Sequence, residues 1–211
     1  MTKKVEIKAN ILKNFIENAP FDGWNENNIA STIKAEGLEE GYAEVLFPEG
    51  IRSLNNDIAK QCASLVNKQI KGLNLKGLRV PEKVEKLCHL KILTYHEIFG
   101  GNKEALKKYF ASSLNPNNTL NSFKYIFEFS SDVWNFLGDK STDFSYYTKR
   151  LSLSKIYSEA ALYSLSDESE GLELTAQFLK RTIDGLMKFH RLKQKFLDII
   201  PSNRIFKRKR A

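Results

Sequence analysis

Residues 119–150 read TLNSFKYIFEFSSDVWNFLGDKSTDFSYYTKR, the most apolar and aromatic helical segment together with the corner that follows it. Phe123, Tyr125, Ile126, Phe127, Phe129, Val133, Trp134, Phe136 and Leu137 recur at helical spacing, which predicts a helix over about 119–137. These residues cover more than one helical face, whereas a surface helix shows one apolar stripe about 100° or somewhat more in width. The helix is therefore central in a bundle or lines an apolar cavity. Gly138-Asp139 stops it. The next helix starts near Thr142 or Asp143, where a carboxylate can cap free N–H groups and favour the positive dipole end, and it reaches about Leu165.

The same period extends outward. Ile7, Ile11, Leu12, Phe15 and Ile16 mark a first helix over about 3–19, closed by Pro20 and Gly23. Ile29 and Ile33 lie on a short helix ended by Gly37. Tyr42, Val45 and Leu46 fit two turns stopped by Pro48, and Ile51 to Ile70 is a longer helix. Pro81 suits the first turn of a helix carrying Val84, Leu87, Leu90, Leu93 and Phe99. A further helix spans about 103–113. Asn115-Pro116-Asn117-Asn118 is read as a loop with Asn118 or Thr119 as the next N-cap, and a last helix covers about 172–190 with a continuation toward Ile200. No β-hairpin signal appears. The expected class is all-α, a bundle of about nine to ten helices.

Chemistry is sparse. The 211 residues are 42% hydrophobic and 27% charged, an ordinary globular mix. Cys62 and Cys88 build neither a disulfide framework nor a zinc motif. Glu85, His89 and His96 share a helix face, but a di-iron bundle needs paired Glu-x-x-His motifs and further carboxylates. No metal site is expected. No nucleophile elbow, P-loop or dinucleotide fingerprint occurs, so the chain is read as no enzyme, without a cofactor. No secretory signal is read at the start, and no run approaches the 18 apolar residues of a membrane span.

Charge is unevenly placed. Residues 1–60 hold 7 Lys/Arg and 10 Asp/Glu, while residues 177–211 hold 11 and 2. A basic end of this kind suits an anionic surface such as lipid headgroups. Leu192, Phe196, Ile199 and Ile200 can share an apolar side, with Lys193, Lys195, Lys207 and Arg208 among the cations around it. These residues form the expected membrane-binding segment.

Two resemblances follow from the residues. Ile11 to Gly23, then Glu39-Glu40-Gly41-Tyr42 through Phe47-Pro48, resemble the helix-turn-helix end of the tetracycline-repressor (TetR) superfamily. Yet residues 36–49 carry Glu36, Glu39, Glu40, Glu44 and Glu49 and no basic residue. Phosphate neutralisation dominates non-specific DNA affinity, so this element repels a duplex. A TetR-type ligand-responsive DNA-binding regulator is thus the alternative reading, and nucleic acid is not the expected partner.

The second resemblance is longer. Asp132-Val133-Trp134, then Gly138-Asp139-Lys140-Ser141-Thr142-Asp143-Phe144, then Tyr147-Thr148-Lys149-Arg150, are similar to the signature of the ubiquinone-biosynthesis accessory lipid-binding family, coenzyme Q biosynthesis protein nine. Tyr157, Leu162, Leu165, Asp167, Ser169, Thr175, Phe178, Arg181, Ile183 and Met187 keep that family's spacing. The resemblance implies a TetR-like fold with a degenerate helix-turn-helix over 1–60, a lipid-binding core over 61–190 and a basic tail over 191–211. It implies a homodimer that binds an isoprenoid quinone precursor or phospholipid and presents it, without catalysis, to a membrane-associated di-iron hydroxylase. Phe123, Ile126, Phe127, Trp134, Leu153, Tyr157, Leu162, Phe178 and Leu186 are the expected lipid-binding wall, between helices seven, eight and nine. Asp143, Tyr146, Tyr147 and Arg150 are the expected partner-binding surface. The expected location is the bacterial cytoplasm, peripheral on the inner membrane. Two departures are Tyr146-Tyr147 where many members have Trp-Tyr, and Glu159-Ala160-Ala161 where many have Thr-Thr-Glu.

Overall fold

Apolar residues at 3–4 spacing and strong end signals make every described element helical. A computed structural model describes the backbone of residues 3–39 and 41–199, and the side chains of 5–39, 41–115 and 118–188. The order is α1 (Lys3–Asp22), α2 (Glu26–Ala35), α3 (Tyr42–Leu46), α4 (Ile51–Ile70), α5 (Val80–Ile98), α6 (Lys103–Ser113), α7 (Pro116–Phe136), α8 (Phe144–Tyr163) and α9 (Glu173–Ile199). Two short 3-10 turns, Ser164–Ser166 and Glu170–Leu172, join α8 to α9.

The expected boundaries shift at two places. The first helix runs through Pro20 to Asp22, because a proline in the last turn removes little of the ladder. The Gly23 N–H then bonds Ala19 O at 3.0 Å with Gly23 at φ +86°. α7 begins at Pro116, so Asn118 and Thr119 lie inside its first turn rather than capping it. Their N–H groups both bond Asn115 O, at 2.8 and 2.9 Å. Pro116 fills the first helical position, where its missing N–H costs nothing.

The buried side chains form two clusters. Ile11, Phe15, Ile29, Ile33, Leu54 and Ile58 hold α1, α2 and α4 together. Val84, Leu87, Ile92, Phe129, Leu153, Tyr157, Leu179 and Ile183 join α5, α7, α8 and α9. α5 serves both, since its Tyr95 and the Phe99 that caps it belong to the first cluster. The expected division at residue 60 falls inside α4, which is continuous from Ile51 to Ile70. The central helix of the second half is α8, packed between α7 and α9. α7 keeps Phe129 and Val133 inside and leaves Phe123 and Phe136 about half exposed. It is the cavity-lining alternative that α7 fits.

Candidate functional site: the cleft beneath the seventh helix

The site is built on one face of α5. Val84, Leu87, Cys88, Lys91, Ile92 and Tyr95 fall at helical spacing and are all buried. Lys91 is the cation on that stripe and is only 5% exposed. Its Nζ lies 4.0 Å from the Phe129 ring centroid and 5.2 Å from that of Tyr157. Burial pulls its pKa down to about 8. Burial also pushes the Cys62 and Cys88 thiols up to about 12, so neither offers a thiolate counter-charge at neutral pH.

Two clefts meet at this lysine because α7 stands off from α4 and α5. One, of about 140 Å³, reaches among α4, α5, α6, α7 and α8; its wall includes Asn55, Tyr95, Tyr109, Tyr125, Ile126 and Tyr157, and exposed Leu114 and Leu162 stand at its rim. The other, of about 390 Å³, runs between α4, α5 and α7 toward Ile70, Val133 and Phe136. Ala59, Lys91, Tyr95 and Tyr125 belong to both. The walls are chiefly apolar with a few polar groups, the usual make-up of a small-molecule site.

This cleft lies on the α4–α5 side of α7 and α8, not between α7, α8 and α9 as expected. Ile126, Tyr157 and Leu162 of the expected wall line it. Phe123 and Phe127 stack on one another at 6.1 Å, with Phe123 exposed. The Trp134 indole N–H donates to Lys149 O at 3.2 Å, tying α7 to α8. Leu153 is core, Phe178 stacks on Tyr163 at 4.9 Å, and Leu186 packs against the second cluster. The α8–α9 interface is filled by these contacts, which is why the space opens on the other side. Lys91, Tyr95, Tyr109 and Asn55 were not among the expected wall residues. The available signal was a lysine four residues after Leu87 and four before Tyr95, on an otherwise apolar stripe.

The α7–α8 corner carries the signature residues. Gly138, at φ +79°, takes the left-handed position after α7. Its N–H bonds Asn135 O at 3.0 Å and the Asp139 N–H bonds Trp134 O at 2.9 Å, the paired bonds of a Schellman ending. Asp139 accepts from Lys149 at 2.6 Å, Ser141 at 2.7 Å and Arg150 at 3.2 Å. The Lys149 hydrogen bond in particular holds its carboxyl down at about 2. Asp143 caps α8, accepting from the Ser145 N–H at 2.9 Å. Tyr146 and Tyr147 meet edge to face at 5.1 Å.

Arg150 corrects the expected partner-binding set. It is 1% exposed, lies over the Tyr146 ring at 3.4 Å, and donates to Ser131, Asn135, Asp139 and the Tyr146 carbonyl. A guanidinium bonded on every side holds the corner and has no face left for a partner. Tyr147, at 57%, and Phe144, at 83%, are the exposed aromatics there. Of the membrane-binding residues, Leu192, Lys193, Lys195, Phe196 and Ile199 have described backbone in α9 only, and Ile200, Lys207 and Arg208 lie outside the described residues.

Asp167 organises the α8–α9 turn. Its carboxylate accepts from the Ser169 N–H at 2.9 Å and from the Thr175 N–H and hydroxyl at 2.7 and 2.6 Å. Burial pushes its pKa up, but the Ser169 and Thr175 bonds outweigh that and hold it at about 2. The histidines are tied structurally: His89 Nε2 lies 3.2 Å from Leu172 O and His96 Nε2 lies 3.0 Å from Ser164 Oγ. Among the described residues no His/Cys/Asp/Glu group could hold a metal, and no helix is long and apolar enough to cross a membrane.

The family model COQ9 matches residues 119–190. The "Probable ubiquinone biosynthesis protein coq9, mitochondrial" of Dictyostelium discoideum is 28% identical over 87% of this chain and 60% of its own length. The "Ubiquinone biosynthesis protein COQ9, mitochondrial" of Bos taurus is 26% identical over 90% and 60%, and the coq9 protein of Schizosaccharomyces pombe 28% over 90% and 74%. The chain thus spans about 60% of the length of the first two relatives. The mitochondrial names overturn the expected bacterial cytoplasm and inner membrane, and point to a mitochondrial protein. A TetR transcriptional regulator from Nitrosomonas europaea ATCC 19718 superposes with a TM-score of 0.64 at 16% identity, covering 85% of this chain and 97% of that one. That likeness speaks for the fold alone. Residues 119–190 therefore match the COQ9 family model, and the chain is similar to COQ9 proteins along most of its length, on an all-helical, TetR-like bundle.

Proposed function

We propose that this chain acts in ubiquinone biosynthesis as a non-catalytic accessory protein that holds an isoprenoid quinone precursor and presents it to a membrane-associated di-iron hydroxylase. The observation that carries the reading is the apolar cleft beneath α7, which borders the COQ9-matching segment. The acidic third-helix region, with Glu44 in α3 and Glu39 and Glu49 beside it, speaks against use of the TetR-like fold on DNA.

Phe144 and Tyr147 at the start of α8 are the docking side chains for the hydroxylase, since exposed aromatics are favoured interface anchors. A second copy of the chain is the other occupant that this apolar face would accept, and the mass in solution distinguishes the two. The basic residues of 191–211 supply the membrane contact, at about 1 kcal/mol for each cation near an anionic leaflet. The test is mass spectrometry of an organic extract of the purified protein. Isoprenoid quinone precursors at near-stoichiometric yield are expected. Protein purified from a ubiquinone-producing host without isoprenoid or phospholipid would refute the reading. Flotation on anionic vesicles, lost on truncation after Phe189, tests the tail.

A further inference from the structure

The Lys91 ammonium is a cation nine-tenths buried at the junction of two apolar clefts. Its neighbours are two aromatic faces, Phe129 and Tyr157. Among the described residues no carboxylate comes within ion-pair distance of its Nζ, and no side chain hydrogen-bonds it. Glu128 and Asp132 of α7 act on it only through space, from the rim of the larger cleft. The Nζ is not among the fully enclosed atoms that lack a partner and so borders the clefts, where a largely desolvated charge without a protein acceptor is costly to a fold. Such a group is retained where something else bonds it.

We propose that Lys91 is the head-group anchor of the cleft, donating a hydrogen bond to the ring oxygen of a prenylated phenol or quinone whose isoprenoid tail lies along the apolar walls. This rests on the lipid-presenting reading above and deepens it by assigning the head group and its polar contact. Three observations select an aromatic head. The smaller of the two clefts beside Lys91 measures about 140 Å³, and a cavity of about 150 Å³ accepts a benzene-sized ring, while the larger, of about 390 Å³, leaves room for a tail. Phe129, Tyr157, Tyr95 and Tyr109 surround that point with aromatic surface, which suits a flat ring. Lys91 remains largely protonated at neutral pH, with its pKa near 8, so it is a donor to a phenol, phenolate or quinone oxygen. The tail then has two exits, toward Leu114 and Leu162 or toward Phe136.

The experiment is calorimetric titration of the full chain, freed of lipid, with 2-geranylphenol, with geranylbenzene and with dodecanoate. The phenol is expected to bind about tenfold more tightly than the hydrocarbon, the worth of one hydrogen bond to a charged group. Lys91→Met is expected to erase that difference by weakening the phenol alone. Met keeps the stem volume and removes the unpaired charge, so the variant is expected to fold; Lys91→Gln and the wild-type preference are independent readouts if it does not. Equal affinity of the wild type for phenol and hydrocarbon, or a preference that survives Lys91→Met, overturns the anchor while leaving lipid binding intact. Dodecanoate binding through Lys91 in the absence of phenol binding overturns the aromatic head. Failure of all three probes to bind the wild type overturns the lipid-presenting reading, and the anchor with it.

Discussion

Removing the charge of Asp139 while keeping its shape, by Asp139→Asn, tests whether the α7–α8 corner is held by its buried ion pair. Asp139 and Arg150 have side chains 7% and 1% exposed. Breaking such a pair from one side costs about 3–5 kcal/mol, because the surviving charge stays buried. Here Arg150 keeps Ser131, Asn135 and the Tyr146 carbonyl as acceptors, and Lys149, being partly exposed, can turn to water. The expected loss is therefore at the low end, about 3 kcal/mol. For a chain of this size that is a fall of about 6–12 °C in Tm. Arg150→Met should cost less, about 1–2 kcal/mol, since Asp139 retains Lys149 and Ser141. The double variant should be more stable than the summed single losses imply, by about 2 kcal/mol. Urea unfolding of the four chains measures this. The pH dependence has a definite sign. The folded Asp139 pKa is about 2, below the ordinary 3.8. Its stabilising effect is thus fully present above pH 3.8 and is lost as pH falls through about 2, where wild type and Asp139→Asn should converge. A coupling within about 0.5 kcal/mol of zero would refute the assignment of the corner to this pair.

Lys91→Met should raise the urea midpoint, by about 1–3 kcal/mol in stability, and a lower midpoint would show that the aromatic faces compensate the charge. Since Lys91 is depressed from 10.5 to about 8, the unfolded chain binds more protons between those values, and wild-type stability should rise through that window relative to Lys91→Met. Asp143→Ala should cost about 0.5–2 kcal/mol through the lost α8 cap, read by thermal unfolding; no change would leave the cap without weight. Asp167→Ala should speed hydrogen exchange at the Thr175 amide at least tenfold while leaving the core of α5 protected, because it frees both Thr175 bonds at once. Tyr147→Ala should weaken co-purification with the hydroxylase without lowering Tm by more than about 2 °C, given its exposure.

The helical class and most helix limits, including the Gly138 stop and the Asp143 start at the signature corner, were legible in residues alone, because they rest on local chemistry. Gly37, Gly138 and Asp143 mark helix ends through their own backbone or side-chain bonds within a few positions, and Pro81 marks one through the N–H it lacks. Even the acid-only run from Glu36 to Glu49 reads directly as a surface unsuited to phosphate. The site was only half legible. Ile126, Tyr157 and Leu162 could be chosen for apolar content, but that content does not say on which side of α7 the space opens. The α8–α9 interface is filled by Tyr163 on Phe178 and by Leu153, so the gap falls against α4 and α5, a long-range packing outcome. The roles of two cations were decided the same way. Lys91 and Arg150 each look like surface residues in a sequence, yet one is enclosed by Phe129 and Tyr157 and the other by Asp139, Asn135 and Tyr146. Which charges are surrounded depends on residues far away in the chain, and only the packed helices bring them together.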